Sequence, residues 1–218
     1  MGLIAIDISV SVDGFVAGPN ATLEEPLGEG GERLHEWIFG LDAWRERHGL
    51  EGGERSVDND VVEAAVARWG AVVMGRKMWS GGSGPWEDDP RSDGWWGGEP
   101  PFRVPVFVLT HHAREPEVKA STPIEFVTEG IEVALNRALA AAGSRDVLVA
   151  GGASVAQQAL ATGLADELQL HVAPVLLGGG VRLFTDGVTA TTLERESVIE
   201  SPAVTHLRYR VRHGPGDA

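Results

Sequence analysis

The chain of 218 residues has no cysteine, which excludes disulfides, thiolate metal sites and a cysteine nucleophile together. Basic residues are also scarce: 18 Lys and Arg face 32 Asp and Glu, a formal net charge of −14. That deficit argues against a general nucleic-acid or anionic-membrane surface, although a few cations gathered in one place can still hold a polyanionic ligand. No apolar run approaches the roughly 20 residues of a membrane-spanning helix. The first apolar stretch, Leu3-Ile4-Ala5-Ile6, has no basic segment ahead of it. A soluble, cytoplasmic protein is therefore expected, with neither nucleic acid nor membrane as partner. No shift of composition divides the chain, and 43% apolar residues suits one globular domain. The expected domain spans residues 1–213, with 214–218 as a frayed tail.

What the chain does have is organised around Asp146 to Val155. Val147-Leu148-Val149-Ala150 reads as a buried strand. Gly151-Gly152 follows, and Ala153 to Leu164 then carries a helical pattern with Val155, Ala159 and Leu160 on one face. A strand that turns through two glycines into a helix presents unpaired amides and the positive end of the helix dipole, a combination that favours an anion such as phosphate. A tight turn without a ligand is the alternative, and Gly-Gly alone does not separate the two.

Leu3 to Val12 reads as a first strand with Ile4, Ile6, Ile8, Val10 and Val12 on one face, running into the Asp13-Gly14 turn and an apolar loop, Phe15-Val16-Ala17. The segment 20–56 is an insertion containing one expected helix, Glu32 to His48. A second helix, Asn59 to Trp69, is expected with Asp58 as its cap. Ala71-Val72-Val73-Met74 is a short buried strand opening into Gly75-Arg76-Lys77-Met78-Trp79. The Trp- and Gly-rich stretch 80–103 has no periodicity and reads as an ordered loop, either a lid or a contact surface. Val104 to Leu109 and Ile124 to Val127 are strands, Ile131 to Ala142 a helix, and Asp166 to Ala173 a further strand ahead of Val175-Leu176-Leu177-Gly178-Gly179-Gly180. Thr191–Ile199 and Ala203–Val211 read as a closing hairpin.

Strands alternating with helices and then strands alone predict an α/β fold: a mainly parallel sheet with helices on both faces and an antiparallel C-terminal edge. Ligands of such sheets sit beyond the carboxyl ends of the strands. Here those ends read Asp13-Gly14, Gly75-Arg76-Lys77, Thr110-His111-His112 and Gly151-Gly152. Arg76 and Lys77 can grip phosphate, or can be a solvated pair. Thr110 and His111 offer a hydroxyl and an imidazole, or simply a polar strand end. Adjacent histidines on an extended segment point to opposite sides, so no metal site is expected there.

Val72-Val73-Met74-Gly75-Arg76-Lys77-Met78-Trp79 resembles the M-G-R-x-x-W segment of dihydrofolate reductase, and Val147 to Val155 resembles that family's strand followed by Gly-Gly. Ser11-Val12-Asp13-Gly14-Phe15-Val16-Ala17 is similar to the S-x-D-G-x-x-A signature of the riboflavin-biosynthesis reductase domains and their stand-alone relatives. Pro174 to Gly180 with Leu183-Phe184 resembles the same branch. The resemblance implies a dihydrofolate reductase-like three-layer fold and an NADPH-dependent reductase acting on a small heterocyclic or carbonyl-containing substrate. It places Gly75, Arg76, Lys77 and Met78 along the cofactor, with Arg76 and Lys77 on the 2′-phosphate. It places Thr110 and His111 at the adenosine phosphate, Gly151, Gly152, Ala153, Ser154 and Val155 around the pyrophosphate, and Ala17 beside the nicotinamide. Asp13 would be the substrate-facing or catalytic acid, though an Asp-Gly turn former accounts for it equally. Glu32, Glu36 and Asp42 are loosely placed substitutes for the carboxylate that dihydrofolate reductase carries on its first helix. The resemblance further implies a homodimer formed through sheet edges. A nucleotide binder without turnover and a structural dimer module are the competing classes.

Overall fold

The computed structural model describes residues 2–185 and 190–212, so the expected tail at 214–218 lies outside the described residues. In chain order the elements are β1 (Ile4–Ser11), β2 (Phe15–Ala17), α1 (Glu36–Phe39), α2 (Asp42–Arg47), α3 (Val57–Arg68), β3 (Trp69–Gly75), α4 (Arg76–Ser80), β4 (Val106–Leu109), β5 (Glu117–Lys119), β6 (Thr122–Val127), α5 (Ile131–Ala142), β7 (Asp146–Gly151), α6 (Ala153–Ala161), β8 (Glu167–Ala173), β9 (Val181–Arg182), β10 (Thr192–Glu200) and β11 (Thr205–Arg212). Single 3₁₀ turns occupy Gly31–Leu34 and Trp86–Asp88. The main sheet runs β10-β11-β8-β1-β7-β3-β4-β6-β5. From β8 to β6 every neighbouring pair is parallel, while β10, β11 and β5 are antiparallel additions at the two edges. All the parallel strands therefore end on one side of the sheet, and the four suggestive corners share it.

Alternation along β1 divides the two faces. Ile4, Ile6, Ile8 and Val10 join Val147 and Val149 of β7 and Ala71 and Val73 of β3 under α5 and α6. The other face carries two separate apolar clusters. One gathers Val72, Met74, Val106, Val108 and Leu148 with Trp79, Phe102 and Phe126. The second is Trp37, Leu41, Ala43, Val62 and Val204. Between them the sheet presents Asp7 of β1 and Ala150 of β7, both incompletely covered.

The amino ends of the strands are closed by charge. Arg68, at the end of α3, donates to Asp146 at 2.7 Å and to both Glu167 oxygens at 3.0 and 3.1 Å, so β7 and β8 start from one fixed point. Asp146 and Asp166 in turn accept the amides of Leu3 and Ile4 at the entry to β1.

Four sequence expectations are corrected. The helix expected from Glu32 to His48 is broken into a 3₁₀ turn, α1 and α2. The break falls at Gly40-Leu41, where Leu41 bridges to Glu54 and the Asp42 amide donates to Glu54 O. Asp58 does not cap α3; it lies inside the helix, buried, with its carboxylate on His206. The loop Phe15–Ala17 is the strand β2, paired with β9. That approach requires glycine at 180, where φ is 118° and a Cβ would stand 2.1 Å from Ala17 O. Val12, placed with the core residues of the first strand, is 61% exposed beyond the end of β1.

The stretch 80–103 is ordered by its tryptophans. Trp79 is fully buried and donates to Ser92 O at 2.9 Å, Trp95 donates to Met78 O at 3.0 Å, and Trp86 donates to His112 O at 2.7 Å. Trp96 stacks on Trp95 and meets Phe102 edge-on. Packing of this kind makes the loop a wall of the domain. Trp79→Ala is expected to lower unfolding stability by about 3–5 kcal/mol, the cost of emptying a large aromatic site. Urea unfolding followed by tryptophan fluorescence measures it, and a loss below about 1 kcal/mol would show that the loop packs without this anchor.

Candidate functional site

β7 leaves the sheet earlier than its neighbour. The register Ile6↔Val149 sets Ile8 beside Gly151, and Ile8 Cδ1 lies 3.7 Å from where a Cβ on Gly151 would stand. β1 continues to Ser11, paired only with β8 on its far side. A slot therefore opens beside the last residues of β1, floored by the Gly-Gly corner. Gly151 is at φ 128° and buried, whereas Gly152 is exposed and a Cβ there would meet nothing within 4 Å. The Gly151–Gly152 peptide is cis. Among the described residues, the amides of Gly152, Ala153 and Ser154 have no protein acceptor. Three N–H groups without acceptors at the start of α6, beside the open space at Gly152, are of the kind that suits an anion.

The structure brings most of the expected cofactor residues to this corner. A Cβ on Gly75 would touch Val155 Cγ2 at 3.0 Å, so the ends of β3 and β7 abut. Met78 Sδ lies 3.6 Å from the Gly151 Cβ position. Thr110 and His111 follow β4 one strand further out, Thr110 buried with its hydroxyl accepting from the His112 amide, His111 exposed. Ser154 is exposed, its hydroxyl accepting from Gln158. Val155 does not extend the cradle, because its amide already donates to Gly152 O at 3.0 Å and its side chain is core. Ala17 sits in β2 against the glycine turn at 180.

Arg76 is not a free cation. It is 6% exposed, with its guanidinium 2.7 Å from Asp89 Oδ2, 2.5 Å from the Ser80 hydroxyl and 3.3 Å above the Trp86 ring. Ser80 also donates to Asp89 Oδ2 at 2.7 Å. Burial pushes the Arg76 pKa down, and the Asp89 charge works against that shift. Desolvating an isolated guanidinium is prohibitive, so Asp89 has to accompany it inside. The arginine expected on the 2′-phosphate instead holds the wall loop to α4, and Lys77, exposed and without a partner among the described residues, is the cation left at this corner.

Asp13 is also placed differently from its expected role as the acid. Its carboxylate accepts the amides of Leu177 at 3.1 Å and Gly178 at 2.7 Å. The Ser11 hydroxyl and then the Gly178 and Leu177 amides hold its pKa at about 2. A group ionised so firmly clamps the glycine-rich turn and is a poor proton donor near neutrality. Among the loosely placed acids, Asp42 is paired with Arg55, and Glu32 and Glu36 are exposed.

Asp7, His171 and His206, which no motif singled out, form a buried polar chain beside the slot. Asp7 interrupts the apolar run that opens the chain, whereas His171 falls in the polar register between Leu170 and Val172 and gives no signal in the sequence. A concavity of about 290 Å³ near Pro105, Pro116, Val118 and Pro123 lies at the far edge by β5. Its carboxylates Glu117 and Glu125 are paired with Arg114 and Arg137, leaving it no free group for chemistry. Among the described residues no cluster of His, Asp and Glu is arranged to hold a metal, and no helix is long and apolar enough to cross a membrane.

A six-stranded parallel sheet with antiparallel edges, helices on both faces and a Gly-Gly corner defines the dihydrofolate reductase-like class. Within that class the chain belongs to the RibD C-terminal domain family, whose model matches residues 3–207. Among solved structures it is similar to a putative riboflavin biosynthesis protein from Shewanella sp. PV-4, with TM-score 0.63 and 21% identity over 98% of this chain and 100% of that one. It is also similar to the diaminohydroxyphosphoribosylaminopyrimidine deaminase/5-amino-6-(5-phosphoribosylamino)uracil reductase of Thermotoga maritima, with TM-score 0.56 and 15% identity over 97% of this chain and 57% of that one. A third likeness is to the Saccharomyces cerevisiae riboflavin biosynthesis reductase Rib7, with TM-score 0.52 and 12% identity over 97% and 89%. A comparison with curated proteins returns no match.

The Arg76–Asp89 contact generates a double-mutant prediction. Removing either partner strands a buried charge, so Arg76→Ala and Asp89→Ala should each cost about 3–5 kcal/mol. The double variant should cost clearly less than the sum of the two. Additive losses in urea unfolding would show that the two side chains do not depend on each other.

Proposed function

We propose that this chain is an NADPH-dependent reductase acting on a small heterocyclic or carbonyl-containing substrate, bound over the sheet between the Trp37 and Trp79 clusters. The observation that carries the reading is the corner at Gly151-Gly152-Ala153-Ser154, where three amides have no acceptor among the described residues and the space around Gly152 is open. A dinucleotide pyrophosphate fits such a corner, because backbone amides and the α6 dipole stabilise its charge without help from side chains. When bound, the nicotinamide supplies a hydride. The residues of this chain position and shield it: Met78 and Ile8 border Gly151, and Asp13 fixes the glycine-rich turn opposite. Family membership and the relatives' printed activities support a reductase. Lys77 is the residue that favours a 2′-phosphate.

Gly152→Val tests the cradle. The space around Gly152 is open, so the variant should keep the parent's melting temperature while its side chain blocks the pyrophosphate and abolishes NADPH binding in a fluorescence titration. Normal binding by the folded variant would end the reading. Lys77→Ala should weaken NADPH by about 1.5–3 kcal/mol and leave NADH almost unchanged. Equal losses for the two cofactors would remove Lys77 from the 2′-phosphate.

The reading includes a homodimer. β10 forms one edge of the sheet and has no outer strand partner among the described residues, and its Leu193 and Val198 are 38% and 50% exposed. The inserted segment 20–56 does not cover that edge, since its helices pack against α3 and the region of β1 and β8. Val204 is buried in its own chain and is not available to a partner. Sedimentation equilibrium at micromolar protein should give twice the chain mass, and a single-chain mass throughout the range would exclude the dimer.

A further inference from the structure

Four titratable groups from four elements form one buried line across the sheet, outside the cofactor cradle. Asp7 Oδ1 on β1 lies 2.7 Å from His171 Nε2 on β8, and His171 Nδ1 lies 2.6 Å from His206 Nδ1 on β11. His206 Nε2 lies 3.0 Å from Asp58 Oδ1 on α3. The histidines are 5% and 3% exposed. Trp37 packs against both rings, at 4.7 and 5.1 Å, and donates its Nε1–H to Ser9 Oγ, closing the line on the α1 side. Asp7 is the more exposed end: its side chain is 18% exposed against 8% for Asp58, and its second oxygen has no partner among the described residues. With strands paired on both sides, that exposure opens through the sheet face between the two apolar clusters, at the level of the Gly-Gly corner.

Counting protons fixes the charge of this line. Ionised carboxylates only accept, so each histidine must present Nε2–H to its aspartate. Two neutral rings would then meet through bare Nδ1 lone pairs at 2.6 Å, which is repulsive. Each link needs one proton, and two neutral imidazoles bring one fewer than the line requires. The line therefore carries one additional proton. The additional proton is the one between the two Nδ1 atoms, and burial pushes His206 down, toward its neutral form. The charged and titratable groups around the pair are Asp7 from β1, Asp58 from α3 and His35 ahead of α1; burial lowers His35 to about 4, leaving it neutral.

We infer that the line Asp7–His171–His206–Asp58 stores one proton beside the slot and delivers it through Asp7 to the substrate being reduced. The delivery step rests on the reductase reading above. Hydride supplied by the cofactor adds to the carbon of a C=O or C=N bond, and the electron pair of that bond moves to the oxygen or nitrogen. The His171 Nε2 proton passes to the Asp7 carboxylate, which hands it to that oxygen or nitrogen; the cofactor leaves oxidised and the line leaves one proton poorer. Repulsion between the bared His171 Nε2 and the Asp7 carboxylate, 2.7 Å apart, then favours recovery of a proton from solvent through Asp7. His206 and Asp58 act through His171 and are positioning residues.

Nitrogen-15 imidazole spectra of the intact chain test the store without cofactor or substrate. At neutral pH the imidazole pair should show both Nε2 atoms protonated and a far-downfield proton shared between the two Nδ1 atoms, and His206→Gln should remove that signal. Two neutral rings in the parent chain would overturn the proposal, and this measurement needs no variant to fold. Delivery is tested by NADPH oxidation with a panel of small carbonyl and cyclic imine compounds. His206→Gln and Asp58→Asn should keep NADPH affinity, lower turnover by about 10²-fold and replace a pH-independent rate by one that rises toward acid. Unchanged turnover and pH profile, with the shared proton gone, would overturn delivery. Failure of the parent chain to bind NADPH would instead sink the reductase reading and the delivery step with it, and the imidazole spectra would still judge the store on their own.

Discussion

β7 gives up its place in the sheet at Gly151, level with Ile8, while β1 runs on to Ser11. That one difference in strand length creates the slot, sets the start of α6 beside it, and leaves Asp7 on a part of the sheet face outside both apolar clusters. The other features follow from holding the slot open. Asp13 clamps the glycine-rich turn on one side, and the Arg76–Asp89 pair fastens the Trp-rich loop on the other. A longer β7 would pair with β1 and abolish the site without changing the class of fold.

The two ends of the sheet are built on opposite principles. At the amino ends the amides of Leu3 and Ile4 find carboxylates, and Arg68 neutralises Asp146 and Glu167. At the carboxyl ends three amides of the Gly-Gly corner are left without acceptors. Unpaired polar groups in a folded protein are costly unless water or a ligand meets them, so their concentration at one end marks where an external anion belongs.

Much of this was legible in the sequence because strand ends are local. Gly-Gly after Val147–Ala150, Gly-Arg-Lys after Val72–Met74 and Asp-Gly after the first strand announce their corners within a few residues, and parallel topology gathers them on one edge. The motifs did not carry the partners of those residues. Arg76 reads as a phosphate ligand until Asp89, 13 residues on inside a loop without periodicity, takes its charge. Asp13 reads as an acid until the amides of Leu177 and Gly178 arrive from 164 and 165 residues away. β2 and β9 were missed because three-residue and two-residue strands have no period to detect. The helix expected at Glu32–His48 failed at Gly40, where a bridge to Glu54 outweighed a helical pattern.

The acidic balance of the chain also shapes how the site can work. Arg68, Arg76, Arg114 and Arg137 all lie within 3.1 Å of carboxylates of the same chain. These four arginines are therefore spent on carboxylates of the same chain, and the backbone amides of the Gly-Gly corner carry no formal charge and no counter-ion. The same scarcity bears on the histidine line. With no arginine or lysine against it among the described residues, the charge of the additional proton is balanced by Asp7 and Asp58, and the line as a whole is negative. A negative line holds its additional proton more firmly than a neutral pair of imidazoles would, and it loses that proton most readily when a stronger base, an oxygen or nitrogen gaining an electron pair, forms over Asp7. Acid chemistry in this site would thus be tied to the moment of reduction by the electrostatics of the fold, without a dedicated acid at the strand end where the motif suggested one.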